Sequence, residues 1–153
     1  MRTTFLMMTA FFVLSLFACG QKDDKVPANV KTAFTKKFPN AEKVKWGMEN
    51  AKEWEAEFKM NGKEYSANYA IDGKWLETEY EIAESEIPAA VIKTLSTQYP
   101  GYKLLESEIS ESADAKVYEF EIKTGTSKME VSIKPDGTLI KNEAKEKGKD
   151  NED

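Results

Sequence analysis

The chain has 153 residues, 41% of them hydrophobic and 32% charged, proportions that exclude a disordered or multiply membrane-spanning protein and fit one globular domain. Its formal charge of −5 is acidic, and affinity for nucleic acid comes mainly from Lys and Arg neutralising phosphates, so nucleic acid is not an expected partner. With no histidine and a single cysteine, Cys19, the chain cannot build a histidine base, a Ser-His-Asp triad, an imidazole metal ligand, an intrachain disulfide or a multi-cysteine zinc site; no metal or cofactor is expected.

Met1-Arg2 gives a positive start to an apolar run from Phe5 to Phe17. That run has signal-peptide length and falls short of the roughly 20 residues a spanning helix needs. It closes on Leu16-Phe17-Ala18-Cys19-Gly20, which resembles a bacterial lipobox, with Phe17 bulkier than the usual residue at its position. The resemblance implies removal of residues 1–18 as a signal peptide and acylation of Cys19, leaving 19–25 as a lipidated tether. Gln21-Lys22-Asp23-Asp24 is similar to the short acidic export signal of surface-displayed lipoproteins, and is also what a solvated spacer looks like. The expected address is the bacterial cell envelope, with lipid anchoring to the outer membrane on its periplasmic side or at the cell surface.

Val26, Val30, Phe34 and Phe38 recur every four residues, the stripe of an amphipathic helix that Pro27 opens and Pro39 stops. From Glu42 the period becomes two. Val44-Trp46-Met48 and Trp54-Ala56-Phe58-Met60 alternate with charged residues as two half-buried antiparallel strands. Asn61-Gly62 predicts a tight hairpin, Tyr65-Ala67-Tyr69-Ile71 continue the apolar phase, and Asp72-Gly73 turns the chain into Leu76-Thr78-Tyr80-Ile82.

The plan then repeats. Ile87, Val91, Leu95 and Tyr99 predict a second helix between Pro88 and Pro100-Gly101; strands follow over Tyr102–Ile109, Tyr118–Ile122, Met129–Ile133 and from Leu139. The helix landmarks return after 61 residues, whereas Trp54-Glu55 and Asp72-Gly73 return as Tyr118-Glu119 and Asp136-Gly137 after 64. This predicts an α+β domain over 26–143, built as two tandem helix-plus-four-strand repeats (26–82 and 87–143) that form one antiparallel sheet with both helices on one face. Residues 144–153, almost all charged, are expected to be a disordered tail.

Aromatic-Pro helix ends (Phe38-Pro39, Tyr99-Pro100), the Val44-Lys45-Trp46 strand, the Trp54–Phe58 strand and the Asp72–Trp75 turn together resemble the PepSY-like proteins. These share the fold of β-lactamase-inhibitor proteins. The resemblance spans about Val26 to Glu143 and implies a binding or inhibitory module that uses its open sheet face and has no enzymatic role. The second copy departs from the pattern: it has no tryptophan at the matching positions and no Val-Lys-Trp strand. No inhibitory contact residue carries over to a numbered position, so β-lactamase is not implied as the target.

The polar phase of the strands gathers Glu55, Glu57, Glu77, Glu79, Glu119 and Glu121 on the face away from the helices. Alternating glutamates are what any soluble, half-buried strand displays, and a flat wet face would leave them fully hydrated. The same residues are the candidate surface for a protein or peptide partner. They also leave open a carboxylate-dependent hydrolase, which needs two carboxyl groups about 5–9 Å apart with one pKa raised by burial, or capture of a cation or small ligand. Trp75 falls in phase with Glu77 and Glu79 and either stands on that face as an interaction anchor or is tucked inward by a strand-end bulge.

Overall fold

The computed structural model describes residues 25–144; the leader, Cys19 and the tail beyond Ala144 lie outside the described residues. In chain order, α1 (Ala28–Lys37) precedes β1 (Glu42–Asn50), β2 (Glu53–Met60), β3 (Lys63–Ala70) and β4 (Trp75–Glu81). A 3₁₀ turn (Glu84–Glu86) then leads to α2 (Ala89–Gln98), followed by β5 (Lys103–Ser112), β6 (Lys116–Thr124), β7 (Ser127–Ile133) and β8 (Leu139–Ala144). All eight strands form one sheet in sequence order, each antiparallel to the next. Over the described residues the protein is α+β, with one eight-stranded antiparallel sheet and two α-helices. Among the described residues no helix is long and apolar enough to cross a membrane.

The helices begin and end where the prolines direct. Pro27 and Pro88 sit at the N-caps, and each helix closes on an aromatic cap whose backbone N–H donates to the carbonyl four residues back, Phe38 to Phe34 at 2.8 Å and Tyr99 to Leu95 at 2.9 Å. The following proline then ends the run. Asn61 and Gly62 both take positive φ, 52° and 80°, as a two-residue hairpin between twisted strands requires.

Both apolar stripes meet the same side of the sheet. Under α1 the core is aromatic. The Phe34 ring lies 5.1 Å from Phe58, 5.2 Å from Trp46 and 5.4 Å from Phe38, in tilted or edge-on arrangements that each add to simple area burial. Under α2 it is mainly aliphatic: Val91 and Leu95 pack with Ile109, Phe120, Ile122, Val131 and Ile133. Tyr65 of the first cluster and Tyr80 of the second stand opposite each other on β3 and β4, ring centroids 5.1 Å apart, and join the two into one helix-backed layer.

β1 departs from its expected regularity. It is an edge strand with two register shifts, Lys43 takes φ 55°, and Met48, in the apolar phase, is 42% exposed. Ile71 is likewise 47% exposed, because the turn at Asp72-Gly73 carries it past the sheet. Irregularity of this kind at a sheet edge discourages pairing with another chain.

Candidate functional site

Residues directly opposite one another on neighbouring strands project to the same face, so the register maps the polar side of the sheet. One row crosses Gly47, Glu55, Asn68, Glu77 and Ser112; the next crosses Lys45, Glu57, Ser66, Glu79, Ser110 and Val117. A third runs through Glu81, Glu108, Glu119, Ser132 and Lys141, and a fourth through Glu106, Glu121, Glu130 and Glu143. Six of the seven residues singled out from the sequence, Glu55, Glu57, Glu77, Glu79, Glu119 and Glu121, therefore share one side, opposite the helices.

Trp75 is on the other side. The β3–β4 register shifts after the Asn68–Glu77 pair so that Tyr69 faces Trp75, leaving Leu76 as the extra residue of a bulge. Trp75 packs against the aromatic core, with the Lys37 ammonium 3.5 Å from its ring centroid and its indole N–H donating to Thr78 Oγ1 at 2.9 Å. It is a core and cation–π residue, and of the two orientations open from the sequence the bulged, inward one is found.

The expectation of a flat, wet glutamate face is corrected too. Glu79 is 6% exposed, Glu121 7% and Glu119 9%, and Glu55 and Glu77 are half-buried; only Glu57 is exposed. The residues interleaved with them are short: Ser66, Ser110 and Ser132 are buried on the same rows. Long carboxylate side chains lying over short neighbours shield one another from water, which the alternation of Glu along a single strand does not reveal. The Ser and Asn residues at polar-phase positions were the available signal.

Burial with few counter-charges holds protons on this face. Burial, reinforced by Glu77, Glu119, Glu108 and Glu55, pushes the Glu79 carboxyl up to about 9. Glu55 is pushed up to about 7 by burial and by Glu49 and Glu57, and Glu119 to about 7 by burial and Glu77, against the lowering influence of Ser132 and Lys141. Burial raises Glu77 as well, opposed by hydrogen bonds from Asn68 Nδ2 (3.4 Å) and Ser110 Oγ (3.3 Å). At neutral pH Glu79 is a neutral acid and can donate a hydrogen bond.

The two ends of the face differ. Toward β7 and β8 the chain supplies its own cations: Lys128 Nζ lies 2.6 Å from Glu121 Oε1, and Lys141 Nζ lies 3.2 Å from Glu143 and 3.6 Å from Glu130. Toward β2–β4, Glu77 is met by the Asn68 amide, the Ser110 hydroxyl and other acids, and Glu55 lies among the acids Glu49 and Glu57. Asn68, 2% exposed, donates through Nδ2 to Glu77, while its Oδ1 is buried without a hydrogen-bond partner. Asn68, with Ser66, Ser110 and Ser132, is a member of the face that the reading of the sequence missed.

A recess lined by Glu64, Ser66, Glu79, Glu81 and Glu108, with Tyr65 and Tyr80 at its side, encloses about 30 Å³. Its volume suits about one water molecule. Glu81, Glu106 and Glu108 bring carboxylate oxygens within 4.8 Å of one another, the only such trio among the described residues. Three carboxylates supply three oxygens if each binds through one and six if each binds through both, the lower end of the six to eight that calcium takes.

A two-layer α+β module with helices on one face and a protonated, polar sheet on the other is the class of protein defined here. The profile of the PepSY-like family, described as beta-lactamase-inhibitor-like, matches residues 52–141, and the chain belongs to that family. Among solved structures it is similar to a DUF2874 family protein from Bacteroides uniformis, at 21% identity and TM-score 0.72, covering 77% of this chain and 88% of that one. It is similar also to a BLIP-like protein from Bacteroides fragilis (21% identity, TM-score 0.71, 82% and 90% covered) and to a protein described as periplasmic from Bacteroides eggerthii (18%, 0.72, 78% and 88%). At these identities the likeness is one of fold. No curated protein matches the chain.

Proposed function

We propose that this protein is a lipid-anchored envelope protein that binds a protein or peptide on the glutamate face of its sheet, and that it is a binding or inhibitor-like module rather than an enzyme. The observation that carries the reading is the asymmetry of the sheet. One face is sealed by both helices, while the other holds carboxylates crowded enough that burial keeps protons on Glu55, Glu79 and Glu119 near neutral pH. A partner that brings donors or positive charge relieves that crowding.

Several features support the remaining parts. The Leu16–Gly20 lipobox supports acylation of Cys19 and an outer-membrane anchor, and the periplasmic description of the Bacteroides eggerthii relative supports an envelope address. The BLIP-like neighbour supports recognition of a protein. Origin by duplication is supported by the 61- and 64-residue recurrences and by the matching closeness of Gly73 to α1 and of Gly137 to α2. A glycoside or peptide hydrolase needs a cleft that seats its substrate beside a carboxylate pair, and the recess beside Glu79 has room for about one water.

The purified protein, immobilised and offered an envelope extract, tests the binding face. The double variant Glu55→Gln/Glu77→Gln is expected to lose a specific captured partner, whereas Lys37→Ala, on the helix side, retains it. Equal capture by both variants overturns the assignment of the face.

A further inference from the structure

The row Gly47–Glu55–Asn68–Glu77 has an unmet requirement. Asn68 Nδ2 donates to Glu77 Oε1 at 3.4 Å, and Oδ1 of this polar-face residue is buried without a hydrogen-bond partner. An orphaned amide oxygen in so buried a position is destabilising until a donor reaches it. On either side of it the neighbours across the ladder are carboxylates, Glu55 on β2 and Glu77 on β4, with Glu49, Glu53 and Glu57 close enough to influence them. An incoming cation favours the ionised form of these carboxyls, so to a positively charged donor the row presents acceptors.

The row is also open at its edge. Gly47 of edge strand β1 stands opposite Glu55, and nothing lies within 4 Å of where its Cβ would be. A side chain from outside has room over Gly47, next to Glu55, and reaches Asn68 Oδ1 once the Glu55 side chain lying between them swings aside.

We propose that Glu55, Asn68 and Glu77 seat the guanidinium group of an arginine carried by the protein or peptide partner, with Asn68 Oδ1 accepting one of its N–H bonds and the two carboxylates flanking it. This rests on the reading that the partner docks on the glutamate face. The acceptors come from three adjacent strands about 4.8 Å apart, so they are spread across the sheet. A planar fork with five donors matches spread acceptors better than a compact ammonium does. A bare divalent ion needs its oxygens drawn together, and among the described residues three carboxylates approach within 4.8 Å only at Glu81, Glu106 and Glu108, away from this row. Charge-assisted bonds to a guanidinium also supply the counter-charge that the β7–β8 end of the face draws from Lys128 and Lys141.

The test is titration of the purified protein with a tetra-arginine peptide, with tetra-citrulline and tetra-lysine peptides as controls, at physiological salt. The arginine peptide is expected to bind at least tenfold more tightly than either control. Asn68→Leu, which leaves the net charge unchanged, is expected to weaken that binding at least tenfold. In the unaltered protein the Asn68 side-chain amide resonance is expected to shift during the titration more than those of Asn29 and Asn142, a readout that does not depend on the variant folding. Binding unaffected by Asn68→Leu, or an unmoved Asn68 resonance, means general attraction of a polycation to an acidic protein and overturns the proposal. So does equal binding of the lysine peptide. Face-dependent capture of an envelope partner without any binding of the arginine peptide overturns this inference alone and leaves the docking face standing.

Discussion

Gly137 passes so close beneath α2 that a Cβ added to it would lie 2.9 Å from the carbonyl oxygen of Ala90. It adopts φ +89°, and its own carbonyl accepts a 2.7 Å hydrogen bond from Thr94 Oγ1. Gly73 stands in the same relation to α1, where a Cβ would lie 3.1 Å from the Asn29 oxygen. These turns set how closely each helix lies on the sheet. Gly125, also at positive φ but with nothing within 4 Å, separates backbone strain from this contact. Gly125→Ala is expected to cost about 1 kcal/mol and Gly137→Ala at least about 1 kcal/mol more, read from urea unfolding midpoints. Equal costs would show that the helix–turn contact is slack.

The glutamate face makes stability depend on pH in a defined direction. Burial pushes the Glu79 carboxyl up to about 9 in the fold, against 4.5 for a free glutamate, so between these values the native state holds a proton that the unfolded chain has released. Stability contributed by the protonated form is complete below about pH 4.5, declines as pH rises, and is lost once pH passes about 9. Glu55 and Glu119 act in the same direction over the narrower window ending near 7. Glu79→Gln is expected to leave stability nearly unchanged at pH 4 and to raise it by more than about 1 kcal/mol at pH 8. Denaturant melts of both proteins across that range check this, and parallel pH curves would contradict it.

Trp75 closes the aromatic core and holds Lys37 over its ring. Trp75→Ala is expected to destabilise by about 2–4 kcal/mol, and Lys37→Ala by about 0.5–1 kcal/mol. Neither is expected to change binding to the glutamate face at temperatures where the protein is folded. Loss of partner capture by folded Trp75→Ala would return that residue to the binding surface.

The proposed acylation of Cys19 makes a cellular prediction that needs no knowledge of the partner. Cys19→Ser is expected to move the protein from the membrane pellet to the soluble envelope fraction, since several acyl chains contribute about 0.8 kcal/mol per buried methylene and serine carries none. Fractionation with immunodetection checks it. Membrane retention of the serine variant would mean that the apolar leader, or a membrane partner, provides the anchor.

The helices, the hairpin at Asn61-Gly62 and the places of the strands along the chain were legible because each is written in one short segment, whereas the order in which the strands pair across the sheet is set between segments. A stripe every four residues or every second residue follows from the backbone geometry of that segment alone, and Pro and Gly mark its ends. The sheet side of Glu55, Glu57, Glu77, Glu79, Glu119 and Glu121 followed from the same periodicity. Trp75 did not, because one extra residue at Leu76 reverses the phase, and a bulge is decided by the partner strand.

By itself, then, the sequence determined which segments are helix and strand, which side of the strands is apolar away from the bulge at Leu76, and the family to which the chain belongs. Tertiary structure alone decided that Glu79, Glu119 and Glu121 are buried on the supposedly wet side, that protons remain on the first two near neutral pH, and that Asn68 presents an unsatisfied oxygen between two acids. Periodicity belongs to one stretch of backbone, whereas desolvation, charge crowding and hydrogen-bond satisfaction are sums over neighbours brought in by other strands.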